Sequence, residues 1–327
     1  MKNALLATTT ALLLWGCNTP ASEQQLGEAS LRFAWIPSGS YAGEVSGANR
    51  FAEEHDLRLT CHAGGMGLNS ITMVATGQNT FGTAAADEII AAIDKGADLV
   101  IIGVINYYSP GCFLSLADKG ISTPKDFEGR VVGLLPFGST GLLYQALVRS
   151  NQVNESKVRT MVVSPDLKPF INGAYDVQPA FVYDETVTLD MQGINYTVIE
   201  PQDHGVSFRG QCYFCKKSTL SESPELVRSF VNTMIDGWGY ALNNPDSTIA
   251  DLKEFAPEID AMREVRVLKK GQDYFKGMDD MLLWSEPSSW REMLDEMKRA
   301  GLIQQTLDPN SFLELRFVKE YYTGSGN

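Results

Sequence analysis

Residues Cys61 to Glu88 read CHAGGMGLNSITMVATGQNTFGTAAADE. Gly64, Gly65 and Gly67 let the backbone turn sharply and leave room for a ligand. Asn69 and Ser70 suit the cap of a helix carrying Ile71, Met73, Val74 and Ala75. Gly77 and Asn79 read as its stop and the following turn. Phe81 to Ala86 is small and apolar, as a buried strand can be. Asp87 and Glu88 follow at its carboxyl end. Ligands of open α/β sheets bind outside the carboxyl ends of strands. These two acids therefore either contact a cation or amine or cap the next helix.

The 327 residues and 44% hydrophobic content suffice for one large or two medium domains. A net charge of −13 argues against nucleic acid as a partner. Lys2 precedes an apolar run from Leu5 to Trp15, too short to span a bilayer and readable as a signal-peptide core. Residues 1–16 are thus expected to be a leader. Residues 17–30 are polar and small, the composition of a tether. Cys61, Cys112, Cys212 and Cys215 remain beyond it, allowing three disulfide pairings in an oxidising compartment.

Leu31 to Ile36 reads as a first strand, followed by a loop from Pro37 to Gly43, a helix to about Glu54 and a strand at Leu57 to Thr60. A helix from Ile89 to Lys95 and a buried strand from Asp98 to Val104 complete a repeated β-then-α pattern. A second unit starts near Thr123. It has strands at Arg130 to Leu135, Arg159 to Val163, Asp176 to Val182 and Tyr196 to Ile199, with helices between them. Gly138-Ser139-Thr140-Gly141 opens one of these helices and offers free N–H groups and hydroxyls. VSFRGQCYFCK, Val206 to Lys216, reads as a return strand in which Cys212 and Cys215 point to opposite faces. The remainder is helical: Ser221 to about Asn243, Ser247 to Phe255, a polar patch, then Pro287 to Ala300. The tail after Tyr322 is expected to be disordered.

Several of these motifs together resemble a known family. They are a strand with Trp-x-Pro, V-A-T-G-Q-N-T-F-G, P-K-D-F-E-G-R-V-V-G, a Gly-Ser-Thr turn, F-I-N-G-A-Y-D-V and Tyr-x-Glu. In this order they resemble the substrate-binding proteins of bacterial ABC importers. The nearest branch serves nitrate, sulfonates and thiamine pyrimidine precursors, and is related to thiamine pyrimidine synthase. The run Leu14-Trp15-Gly16-Cys17 resembles a lipobox, implying cleavage before Cys17 and its lipidation. The resemblance implies an α/β, two-lobed periplasmic-binding-protein fold (type II), each lobe a mostly parallel sheet flanked by helices. Lobe 1 is expected over 31–121 and 218–322, lobe 2 over 122–217, and the tail over 323–327. The implied partners are a small-molecule ligand, a permease with its ATPase, and the membrane through the lipid on Cys17. The implied place is the cell envelope, on the outer face of an inner membrane or in the periplasm. A monomer without a cofactor is expected.

The residues expected at strand ends are Trp35, Tyr41, Asp87, Glu88, Asn106, Tyr107, Tyr108, Ser139, Thr140, Gln178, Tyr183 and Glu185. Of these, Tyr107 reads better as core packing; the other eleven are the candidate ligand contacts. No Arg or Lys falls among them, whereas a sulfonate or nitrate favours a nearby guanidinium or ammonium. Aromatic faces and carboxylates instead suit a flat, amino-bearing heterocycle: a thiamine pyrimidine precursor, or another such as a flavin. Helix-terminal N–H groups keep a sulfonate open. The synthase alternative would need pyridoxal phosphate and iron. The Cys212 to Cys215 run partly resembles its cysteine motif, but no lysine lies between Lys2 and Lys95 to form a Schiff base.

Overall fold

The structure is a computed structural model that describes residues 26–135, 138–278 and 281–324. The expected leader, Cys17, most of the tether and residues 325–327 lie outside the described residues.

The first lobe opens with β1 (Gly27–Arg32), α1 (Ala42–Ser46), β2 (Leu57–His62), α2 (Ser70–Ala75), β3 (Phe81–Ala85), α3 (Ala86–Asp94) and β4 (Leu99–Val104). The first strand thus starts inside the stretch expected to be tether. Ala29 and Leu31 alternate into the core, and the strand pairs along its whole length with β2. The second lobe holds β5 (Gly111–Leu116), β6 (Val131–Leu134), α4 (Ser139–Ser150), β7 (Arg159–Val162), α5 (Lys168–Ile171), β8 (Gln178–Phe181), α6 (Glu185–Met191) and β9 (Tyr196–Ile199). The chain then returns through β10 (Gln211–Lys216) to α7 (Lys217–Glu222), α8 (Pro224–Asn243) and α9 (Pro245–Phe255). It ends with α10 (Ala261–Lys270), α11 (Gln272–Phe275), α12 (Trp290–Arg299) and α13 (Arg316–Thr323).

The first sheet has the order β2-β1-β3-β10-β4. β1 runs parallel to β2 and β3, and β10 antiparallel to β3 and β4. In the second lobe β5 lies antiparallel between β8 and β9, while β6 and β7 pair in parallel. Val132 of β6 also bridges Val177, just ahead of β8, in parallel, so β5 alone runs against the other strands of this lobe, as β10 does in the first. The reason is geometric. Most strands end at the gap between the lobes, whereas β5 and β10 arrive from the other lobe and start there, so each runs against its neighbours.

The lobe boundaries move for the same reason. The chain leaves the first sheet at Ile105 and enters the second at Gly111, ahead of the 121/122 boundary expected from sequence. It returns by Gln211, ahead of Ser218. At the crossing the two segments bond as a ladder. Ser109 N–H donates to the Phe208 carbonyl at 2.9 Å, and Gly210 N–H to that of Asn106 at 2.9 Å.

Each sheet face is covered. Leu31, Phe81 and Tyr213 pack under α8, where Phe81 stacks on Phe230 at 3.9 Å between ring centres. On the other face Ile101, Val104 and Phe214 meet Ile89, Trp290 and Met297. Cys212 and Cys215 fall in these two separate cores, as their odd spacing predicts. All four described cysteines are free thiols. Among the described residues no helix is long and apolar enough to cross a membrane.

α8 crosses the start of the chain at close range. A Cβ on Gly237 would lie 2.3 Å from the Gly43 carbonyl oxygen, and one on Gly43 would lie 2.3 Å from the Trp238 ring. Helix propensity alone makes Gly237→Ala stabilising by about 1 kcal/mol. Overpacking typically costs about 1–3 kcal/mol and must dominate here, because the obstacle is backbone. Gly237→Ala is therefore expected to lower the urea midpoint without changing the slope of the transition. A raised midpoint refutes the close crossing.

Candidate functional site

The carboxyl ends of the strands converge on one cavity of about 300 Å³ between the lobes. From the first lobe it takes Trp35 and Tyr41 after β1, Gly65 and Gly67 to Ile71 between β2 and the first turn of α2, and Ala85 and Glu88 at the β3–α3 junction. From the second it takes Leu135 and Gly138 to Thr140 after β6, Pro165 after β7, and Phe181, Tyr183, Asp184 and Glu185 at the end of β8 and beyond it. The crossing segments supply Asn106, Ser109, Pro110, Gly210 and Gln211.

Local sequence sets each wall. Tyr41 is buried and stacks on Phe33 at 4.6 Å, so its ring stands as a fixed wall. Tyr183 is held on the other side by Phe275 at 5.1 Å and Tyr274 at 5.8 Å. Asn69 caps α2, accepting from Thr72 N–H at 2.8 Å, and Ser70 donates to the Thr83 carbonyl at 2.8 Å. These two bonds anchor the Gly-rich loop at its end.

Eight of the eleven candidate contacts line the cavity: Trp35, Tyr41, Glu88, Asn106, Ser139, Thr140, Tyr183 and Glu185. Three do not. Gln178 is buried within the second lobe, bonded to the Tyr175 hydroxyl and to the Pro179 carbonyl. Its side chain points away because alternate residues of β8 face opposite sides. Tyr108 is 45% exposed and sits with Tyr107 against the Arg209 guanidinium at the crossing. Asp87 is fully buried beneath the cavity. Its Oδ2 accepts from Ser139 Oγ at 2.7 Å, and its Oδ1 accepts from Glu88 N–H at 3.0 Å. Asp87 thus joins the first turns of α3 and α4, one from each lobe. Asn106 is largely committed to the crossing, accepting from Gln211 N–H at 3.2 Å and donating to the Tyr274 carbonyl at 3.3 Å.

Gln211, Phe181 and Asp184 were not singled out from the sequence. Gln211 opens an antiparallel strand, so a search of carboxyl strand ends passes over it. Phe181 and Asp184 flank the expected Tyr183 and were reachable by the same reasoning.

The polar character of the cavity is one-sided. Glu88, Asp184 and Glu185 line it, and no Lys, Arg or His does so among the described residues. Burial pushes the Glu88 carboxyl up to about 7. Burial and then the Asp184 charge raise Glu185, against the pull of a 2.8 Å bond from Phe181 N–H. Thr140 Oγ1 is buried and lacks a protein partner, pointing to a bond a ligand can complete.

Burial, then the charge of Glu88, pushes the Asp87 carboxyl up to about 8, while burial raises Glu44 to about 8. The folded state holds these protons to higher pH than the unfolded chain, whose carboxyls titrate near 4. Their contribution to stability is therefore complete below pH ~4 and is lost as pH rises through about 8. The melting temperature is expected to fall from pH 5 to pH 8, and Asp87→Asn is expected to flatten that fall. An unchanged slope in the variant shows that Asp87 does not carry it.

Comparison with known proteins places the chain. The riboflavin-binding protein RibY of Chloroflexus aurantiacus is 21% identical over 97% of this chain and 92% of its own. The periplasmic sulfonate-binding protein SsuA of a sulfonate ABC transporter from Methylobacillus flagellatus superposes with a TM-score of 0.69. That match is 13% identical and covers 92% of this chain and 95% of the other. The desulfurization enzyme DszB shares the fold at a TM-score of 0.62 and 12% identity, over 91% of this chain and 99% of its own. The chain has the periplasmic-binding-protein fold. Residues 48–248 match the family described as NMT1/THI5 like, and with that match the chain belongs to the NMT1/THI5-like family.

Proposed function

We propose that the protein is the extracytoplasmic solute-binding component of an ABC importer, and that it captures a planar, uncharged or cationic nitrogen heterocycle between its lobes. The observation that carries this reading is the cavity lining. It has aromatic walls in Trp35, Tyr41, Phe181 and Tyr183, carboxyls in Glu88 and Glu185, and no basic side chain among the described residues. Ring faces stack on the aromatics, and ring N–H or amino groups donate to the carboxyls. A cavity of about 300 Å³ suits one small organic ligand. Riboflavin and a hydroxymethyl aminopyrimidine are the two candidates. The riboflavin-binding relative supports the first, as do the neutral groups Ser40, Asn69, Thr140 and Gln211, which match a polyhydroxyl chain.

The setting follows from the same reading. Cleavage before Cys17 and lipidation there would tether the domain at the envelope, where it delivers ligand to a permease and its ATPase. Pyrimidine synthesis through pyridoxal phosphate is disfavoured, since no lysine lines the cavity among the described residues.

A sulfonate is the second reading. It rests on the first turn of α4, where Gly138 provides no side-chain cap and the Thr140 hydroxyl is unpartnered. Helix N-termini bind anions.

Thermal-shift measurements separate the two. The panel is riboflavin, hydroxymethyl aminopyrimidine, its formylated precursor, thiamine, an alkanesulfonate, taurine and nitrate. Riboflavin or the pyrimidine is expected to raise the melting temperature, since a ligand at 100 times its Kd stabilises by about 2.7 kcal/mol. A shift with the sulfonate alone sinks the heterocycle reading. For the ligand that shifts, Glu185→Gln is expected to weaken binding about tenfold in calorimetry, the equivalent of one charge-assisted hydrogen bond. Flavin mononucleotide is expected to bind more weakly than riboflavin, because its phosphate would enter among carboxyls.

A further inference from the structure

Arg263 does not itself line the cavity, yet it holds both of its walls. It lies in the first turn of α10, whose N-cap Asp260 accepts from Met262 and Arg263 N–H groups at 3.0 and 3.3 Å. All three of its side-chain nitrogens are engaged. Nη2 binds the Asp184 carboxylate and the Asp184 carbonyl, and Nε donates to Thr188 Oγ at 3.1 Å. These partners belong to the second lobe. Nη1 pairs with Glu264 Oε1 at 2.6 Å. The other oxygen of Glu264 accepts from Gly39 N–H at 2.7 Å, in the loop that follows β1 of the first lobe.

The ends of this chain of bonds are at the site. Gly39 directly precedes Ser40 and Tyr41, and Asp184 lies between Tyr183 and Glu185, all of which line the cavity. The contact at Gly39 is tight, since a Cβ there would sit 2.4 Å from the Glu264 carbonyl oxygen. The Glu264 side chain is only 5% exposed, and Arg263 and Asp184 are roughly three-quarters buried at 23% and 22%. Water and salt therefore screen the network less than a surface pair. A guanidinium presents donors in a rigid fork, so one side chain can serve Asp184, Thr188 and Glu264 together; a lysine amine cannot span them.

We propose that Arg263 is a positioning residue for ligand capture: it fixes the gap between the Tyr41 wall and the Tyr183 wall by bridging Asp184 of one lobe to Glu264, and through it to Gly39 of the other. The proposal rests on the cavity being the binding site, but its test needs no ligand. The purified protein, without added ligand, is compared with Arg263→Met and Arg263→Lys by hydrogen–deuterium exchange and small-angle X-ray scattering. Arg263→Met is expected to raise exchange about tenfold in both 37–41 and 181–187, which are local openings, and to enlarge the radius of gyration. Strands β3, β4 and β10 keep their protection. Arg263→Lys falls between, because it restores charge without the fork. Asp184→Asn removes one end of the chain and is expected to loosen the same two segments, which covers a poorly folding Arg263 variant. Loosening of one segment only, or exchange and scattering unchanged in both Arg263→Met and Asp184→Asn, overturns the proposal. Either result leaves the heterocycle reading to be decided by its own ligand panel.

Discussion

The double crossing of the chain between the lobes is the constraint on which the rest of the structure depends. Residues 105–110 and 206–211 run side by side and satisfy each other's backbone groups. Ile105 and Asn106 N–H both donate to the Gln211 carbonyl, at 2.8 and 3.1 Å. A buried backbone segment without such partners would be costly. Two crossings make the junction a paired ribbon, which keeps the lobes in register while leaving few connections to deform. They also aim the structure. Because the crossings sit at the strand ends, the loops after β1, β2, β3, β6, β7 and β8 all open on the same gap. Hinge motion about paired segments of this kind is a common way for two domains to close on a ligand.

Around that gap, polar groups are arranged by burial as much as by charge. Asp87 and Ser139 join the two lobes at the floor, and loss of water raises the Glu88 and Glu185 carboxyls of the cavity toward neutrality. Near neutral pH such groups can hold a proton or release it at small cost, so they can meet a ligand as donor or acceptor. Arg209 shows the same economy at the crossing. It is buried, lies 4.3 Å from the Tyr107 ring centre and donates to the Tyr107 and Ser289 carbonyls. Its aromatic and carbonyl neighbours take the place of a carboxylate, and tie the crossing to the segment ahead of α12.

Much of the architecture was legible because the relevant signals are local. Strands such as Leu99–Val104 are continuous apolar runs, and helices such as Ser139–Ser150 follow glycine and end before Asn151. Other elements were hidden. From sequence, no element is expected between Tyr108 and Thr123; only pairing with β8 and β9 makes Gly111–Leu116 a strand. α10 carries five charged residues in AMREVRVLKK and reads as a polar patch, yet Glu264, Val267 and Leu268 are buried against the first lobe and α6. α13, Arg316–Thr323, runs on to Thr323, where the tail was expected to be disordered from 323. Its Phe317 and Val318 find a core that the local sequence does not announce.

Sequence alone determined the alternation of strands and helices, the opposite facing of Cys212 and Cys215, and most of the aromatic and acidic groups at strand ends. These follow from periodicity, turn chemistry and the direction of a strand, which neighbouring residues set. Tertiary structure decided which of those groups share a cavity. It turned Gln178 and Tyr108 away, placed Asp87 under the floor as a bond between lobes, and brought Gln211 and Arg263 to the site. Those outcomes depend on packing between residues far apart in the chain. For Arg263, 79 residues separate it from Asp184, and only the folded chain brings the two within a hydrogen bond.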